Sequence, residues 1–121
     1  MKAMVLRRPN PVHNRPLNLD EVEAPDPGPG QTRIRVHACG VCHTDLHTVE
    51  GELGGLPLPL IPGHQVVGTI DSVGGRVRGV KVGDRVGAAW LHETCGRCPF
   101  CKRGDENLCP DARFTGYHVN G

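Results

Sequence analysis

Four cysteines fall within fifteen residues, Cys95-Gly-Arg-Cys98-Pro-Phe-Cys101-Lys-Arg-Gly-Asp-Glu-Asn-Leu-Cys109, in the pattern C-x2-C-x2-C-x7-C. No other feature limits the fold of this chain so strongly. Zinc takes four thiolates at tetrahedral corners about 2.3 Å away, and a loop folded back on itself supplies them. Three ligands at intervals of three residues wrap one side of the ion, and the fourth closes the cage after a short excursion. A closed four-sulfur set leaves no open position for a substrate. The expectation is a structural zinc in a lobe over about residues 92–112.

Disulfides are the competing reading. Four cysteines allow three pairings, and any of them needs an oxidising compartment. Only four apolar residues, Ala3 to Leu6, lie between Lys2 and Arg7, and Pro9 follows at once. That is too short for a signal-peptide core. No stretch approaches the length of a membrane span. A reducing, cytoplasmic setting is expected, and zinc is favoured over disulfides.

With 121 residues the chain has room for one domain, residues 1–121, with a modest core. Lysine and arginine total 14 against 13 acidic residues and are scattered, so neither nucleic acid nor an anionic membrane is an expected partner. Seventeen glycines and eleven prolines exclude long helices and suit turn-rich β structure. Strand character appears at Ala3 to Leu6, Arg33 to Ala38, Val66 to Val73 and Arg85 to Trp90. Arg76 to Asp84 reads as a loop ending in a Gly-Asp turn. Ala24 to Gly30 reads as a proline linker, and Glu50 to Pro62 as an extended surface loop. The best helix is short, Thr44 to Val49, capped by Thr44 or a neighbour. The pattern is mostly β, with a metal lobe near the C-terminal end.

A second constellation, Ala38-Cys-Gly-Val-Cys-His-Thr-Asp-Leu-His47, is followed by Pro62-Gly-His-Gln65. Spacing alone is weak here. Cys39 and Cys42 form a C-x2-C pair, with His43, His47 and His64 as spare donors. Two or three of these could hold a metal, or the set could be a buried thiol with solvated histidines. A thiol redox pair of Cys39 and Cys42 would need a depressed thiol pKa, which the sequence does not indicate.

Taken in order, Gly40-Val-Cys42-His-Thr-Asp-Leu-His47, Gly63-His64, Val82-Gly-Asp-Arg-Val86 and the four-cysteine lobe resemble the zinc-dependent medium-chain alcohol dehydrogenases. The match spans nearly the whole chain. Trp90 to Cys95 and Thr115-Gly-Tyr117 look most like the yeast and bacterial branch. The resemblance implies a GroES-like catalytic domain, a partly open β-barrel with short helices. It implies an enzyme oxidising a primary or secondary alcohol by hydride transfer to NAD or NADP, with small alcohols and aldehydes as partners. Cys42 and His64 would be two ligands of a catalytic zinc that keeps one position open for substrate. Thr44 would take the hydroxyl proton, and His47 would pass it toward solvent. Asp45 would orient His64. His43 would lie near the cofactor pyrophosphate. Trp90 would wall the substrate pocket, with Leu53 a weaker candidate. Cys39 matches no ligand position and is expected to be a small buried residue. Relatives in this family often assemble as homo-oligomers.

Two departures stand out. The family usually has glutamate after the ligand histidine, and here Gln65 supplies a neutral amide instead of a carboxylate behind the zinc. The third ligand of the catalytic zinc and a strand–GxGxxG–helix are absent from the 121 residues. The expectation is an N-terminal fragment of a longer dehydrogenase, inactive alone, with its lobe zinc independent of the rest. The alternative is a stand-alone zinc-stabilised β-barrel that binds a partner and catalyses nothing.

Overall fold

The computed structural model describes all 121 residues. Seven short strands and two short helices are arranged in three separate sheets. Strand β1 (Lys2–Leu6) pairs antiparallel with β2 (Leu17–Glu21). Strands β3 (Thr32–Gly40), β4 (Gln65–Val73) and β5 (Arg85–Ala88) form an antiparallel sheet in that order. Strands β6 (Leu91–Glu93) and β7 (Arg113–Phe114) frame the cysteine lobe. The sheets do not close on one another, so the mostly-β expectation holds in its open form.

Alternation sets the central strand. In β4, Val66, Gly68 and Ile70 are buried, while Gln65 and Val67 are exposed. A Cβ at Gly68 would run into the Arg35 carbonyl and the Ile34 side chain. Glycine therefore lets β3 and β4 approach here, beside register shifts at Arg33/Ile34 and Val36/Ala38 that bend β3. Arg33 donates from Nε to Asp71 at 2.8 Å and from its terminal nitrogen to the Pro25 carbonyl at 3.2 Å. That side chain fastens the proline linker to the sheet.

The core is small: Val5, Leu6, Val49, Leu60, Val66 and Ile70 supply its aliphatic part. Leu60 corrects one expectation. The segment read as a surface loop passes through the core there, because Leu6 and Leu60 exchange backbone hydrogen bonds of 2.7 and 2.9 Å. Strand β2 was not anticipated, since Leu17-Asn-Leu-Asp-Glu21 is too polar to stand out. It forms by pairing with β1.

Helix α1 (His43–Glu50) brackets the expected Thr44–Val49. Cys42 stands at its N-cap, and Asp45 accepts the Cys42 backbone N–H at 2.9 Å, completing a capping box. Gly51 ends it in the left-handed region at φ 81°. Val49 and Thr48 are buried against the core.

Leu60→Ala is expected to cost about 3 kcal/mol, because its fully enclosed side chain would leave a cavity. Leu19→Ala, on an exposed residue, is expected to stay within about 0.5 kcal/mol. Urea denaturation of both variants with zinc present checks this, and equal midpoints would contradict the placement of Leu60.

Candidate functional site

The four-cysteine segment folds as its spacing requires. Helix α2 (Pro99–Arg103) starts with Pro99 at its first position, and the Cys98 sulfur caps it by accepting the Cys101 N–H at 3.5 Å. Gly104 ends it in the left-handed region. Cys98 Sγ lies 3.5 Å from Cys101 Sγ, and Cys95 Sγ lies 3.9 Å from Cys101 Sγ. The sulfurs of Cys95, Cys98, Cys101 and Cys109 all lie within 4.8 Å of one another. A regular tetrahedron of thiolates about 2.3 Å from zinc has edges near 3.8 Å, so the set fits zinc. No two of these sulfurs are at bonding distance, and all six cysteines are free.

Backbone amides prepare these sulfurs for negative charge. Cys95 Sγ accepts the Cys98 N–H at 3.3 Å, and Cys109 Sγ accepts the Cys95 N–H at 3.5 Å. The Cys95 thiol is pulled from an ordinary value near 9 down to about 6, mainly by backbone N–H groups of Arg97 and Cys98. A depressed pKa stabilises the fold above the ordinary thiol value. That contribution disappears as pH falls through about 6.

The second site forms where the N-terminus of α1 meets the start of β4. His64, 6% exposed, turns Nε2 toward Cys42 Sγ at 3.2 Å. Its Nδ1 faces Asp45 Oδ1 at 3.2 Å. A carboxylate only accepts, so Nδ1 carries the proton and the Nε2 lone pair faces the thiol. The edge between a thiolate and an imidazole nitrogen on tetrahedral zinc is roughly 3.5 Å, close to the observed separation. Cys42 and His64 therefore fit a zinc ion from one side. Asp45 serves both: one oxygen holds the helix start and the other holds the histidine.

Both donors open on a cleft of about 630 Å³ that also touches Thr44, Gln65, Val67 and Trp90. Most of its lining is apolar. Trp90 stacks on Phe114 at 4.3 Å and lies 6.0 Å from the His64 ring, which fixes it as a wall. The strand expected to reach Trp90 stops at Ala88, and Trp90 sits in the link to β6.

Several expected residues lie elsewhere. Leu53 is half-buried in the loop after α1 and is not part of the cleft lining. His43 and His47 share a face of α1, their rings 4.6 Å apart, outside the same lining. Cys39 is exposed, against the expectation of burial: β3 ends there and its sulfur meets the Gly63 turn. Gln65 is exposed at the cleft edge, with its amide oxygen packed over Gly40. Sequence reasoning missed Glu52, whose Oε2 lies 2.5 Å from His47 Nδ1. It also missed Tyr117, whose hydroxyl donates to the Gly54 carbonyl at 2.6 Å. A glycine closing a short helix with an acid directly after it was the available signal for Glu52.

No helix is long and apolar enough to cross a membrane. Residues 28–121 match the family model described as the alcohol dehydrogenase GroES-like domain. An alcohol dehydrogenase of Geobacillus stearothermophilus is 48% identical over all of this chain, which covers 35% of that protein. One from Rhizobium meliloti is 47% identical at the same coverage. Among solved structures, a thermostable alcohol dehydrogenase of Pyrobaculum aerophilum with bound cobalt and zinc superposes at a TM-score of 0.90 and 33% identity, covering 100% of this chain and 36% of that one. An NAD-dependent alcohol dehydrogenase superposes at 0.88 and 34% identity, with 100% and 35% covered. The chain thus spans about a third of the length of the curated relatives it matches.

Cys109→Ser is expected to lower the tightly held zinc by about one ion per chain, since three thiolates leave the lobe open. Metal analysis after mild chelation checks it, and unchanged zinc would refute the four-sulfur assignment. In chain stripped of metal, alkylation of Cys95 is expected to rise with pH around a midpoint of about 6. A midpoint near 9, read by mass spectrometry on stripped chain whose backbone spectrum shows the lobe still folded, would refute the amide arrangement.

Proposed function

The chain belongs to the alcohol dehydrogenase GroES-like domain family, and on that premise we propose that it forms the zinc-binding catalytic part of an NAD- or NADP-dependent alcohol dehydrogenase. The observation that carries this is the convergence of Cys42, His64 and Thr44 on one apolar cleft walled by Trp90. Its substrates are small primary or secondary alcohols and the matching aldehydes or ketones. The cytoplasm suits it, because six free cysteines persist where thiols stay reduced.

Cys42 and His64 would hold the catalytic zinc, and Cys95, Cys98, Cys101 and Cys109 a structural one. A zinc at Cys42 and His64 would supply Lewis acidity that lowers the pKa of the alcohol oxygen. The rest of the work falls to side chains. The apolar cleft excludes water from the reacting carbon. The Thr44 hydroxyl, beside Cys42 in the lining, accepts the substrate proton. His47, one turn further along α1, passes it toward solvent. His43, on the same face, would meet the cofactor pyrophosphate, and a bound nicotinamide would supply the hydride acceptor. Trp90 limits the alcohol to small chains. Gln65 places a neutral amide at the cleft edge, so it would add no negative charge to a zinc bound beside it.

The curated relatives are about three times as long as this chain. The proposed activity belongs to a protein joining these residues to a dinucleotide-binding domain and a third zinc ligand. The 121 residues alone carry no strand–GxGxxG–helix and should form no NADH or NADPH from ethanol. Self-association through the rest of such a protein fits the same reading.

In the dehydrogenase carrying this chain, Thr44→Val is expected to cut kcat by roughly 100-fold or more, the usual cost of losing a positioned proton acceptor. Zinc content should not change. Trp90→Ala should lower KM for branched alcohols relative to ethanol. Steady-state kinetics with both alcohols decide it. A Thr44→Val enzyme with full kcat would remove the proton-transfer role, and unchanged selectivity in Trp90→Ala would remove Trp90 from the pocket.

A further inference from the structure

Helix α1 ends in a way that carries a carboxylate back onto one of its own histidines. Gly51 adopts φ 81°, and its N–H reaches the carbonyls of His47 and Thr48. The Glu52 N–H then returns to the His47 carbonyl at 3.0 Å, a six-to-one closure of the last turn. That closure puts residue 52 over residue 47. A side chain at position 51 would be strained at this φ and would also press on the Pro9 ring. On the far side of the loop, Tyr117 donates to the Gly54 carbonyl at 2.6 Å. The Glu52 backbone is thus fixed from both directions, and its Oε2 comes to 2.5 Å from His47 Nδ1.

A carboxylate has no proton to give, so the imidazole nitrogen facing it must donate. A free neutral imidazole samples both tautomers. The ring of His47 held in this way cannot. Its Nδ1 keeps the hydrogen, and its Nε2 keeps the lone pair. We infer that Glu52 is a positioning residue for proton transfer, which locks His47 in the tautomer whose Nε2 is free to accept a proton. The inference rests on the relay role proposed above for His47 and adds the group that makes the ring competent for it. The same device operates at His64, where Asp45 fixes Nδ1 and leaves Nε2 to face Cys42.

Long-range proton–nitrogen NMR of the zinc-loaded chain, at a pH where imidazoles are neutral, reports which ring nitrogen carries the hydrogen. The expected result is His47 protonated at Nδ1 in the wild type and in Glu52→Gln, whose amide oxygen still accepts. In Glu52→Ala the ring should become a mixture of tautomers. Glu52 is exposed, so these variants should fold, and their dispersed backbone spectra verify it. A wild-type ring protonated at Nε2, or a ring unaffected by Glu52→Ala, would overturn the inference.

In the dehydrogenase carrying this chain, Glu52→Ala should lower kcat roughly tenfold with KM unchanged, less than the loss expected from removing an acid–base group outright. Glu52→Gln should restore most of it. Combining Glu52→Ala with His47→Ala should add nothing to His47→Ala alone. A further loss in the double variant would overturn a role exerted through His47. If His47→Ala itself leaves kcat intact while the NMR result holds, the relay reading fails and the tautomer lock stands.

Discussion

The Asp45 carboxylate is shared between a helix start and a buried histidine, and the geometry around the cleft depends on that sharing. One oxygen accepts the Cys42 N–H and starts α1, and the other faces His64 Nδ1. Helix capping is worth on the order of 1 kcal/mol, a modest energy for eight residues that make no long amphipathic helix. Here the cap also decides where two donors from distant parts of the chain point. Cys42 belongs to the turn before α1, and His64 to the turn before β4. Without a common partner they would share only the sheet that carries them. With it, the sulfur and the free imidazole nitrogen are set 3.2 Å apart.

The chain divides its labour between covalent-like and soft constraints. The core supplies few large side chains, in keeping with a sequence holding four aromatic residues. Metal ligation can compensate for a thin core, because binding a preformed site is also folding energy. The lobe needs it most. Strands β6 and β7 total five residues, and α2 adds five more, too little to bury a core of their own. The aromatic stack of Trp90, Phe114 and His118 joins this lobe to the cleft. Zinc bound at the four sulfurs would therefore steady a wall of the second site.

The four-cysteine cluster was more legible than the strands around it, whereas the Cys42 and His64 pairing was weak on spacing alone. Fixed spacing C-x2-C-x2-C-x7-C has few physical uses, and the sulfurs are where it puts them. Strand β4 was readable because Val66-Val-Gly-Thr-Ile-Asp-Ser-Val73 is rich in β-branched residues and stops at a glycine pair. Strand β2 was not, because three of its five residues are polar and it forms by pairing with β1. The burial of Leu60 was hidden for a related reason: in Leu56-Pro-Leu-Pro-Leu60 the prolines make the run read as extended loop, nothing in it singles out one leucine for the core, and only the bridge to Leu6 reveals its neighbours. Cys39 was misplaced because a small apolar residue next to a strand is usually inside, whereas β3 runs out to the rim at that point.

The pairing of Glu52 with His47 shows a limit of another kind. Each residue was visible, and the Gly51 between them reads plainly as a helix end. What sequence spacing does not give is direction. On a continuing helix, positions five apart lie on different faces, so no contact would be expected. The left-handed glycine reverses the chain after one turn and cancels that separation. The consequence reaches chemistry, since the tautomer of an imidazole is set by whatever its other nitrogen meets. In α1 both ends apply this rule, Asp45 at the start and Glu52 past the finish. Two histidines thereby present Nε2, one toward a thiol and one away from a carboxylate. An eight-residue helix can set the orientation of two imidazoles because its caps, rather than its length, hold it in place.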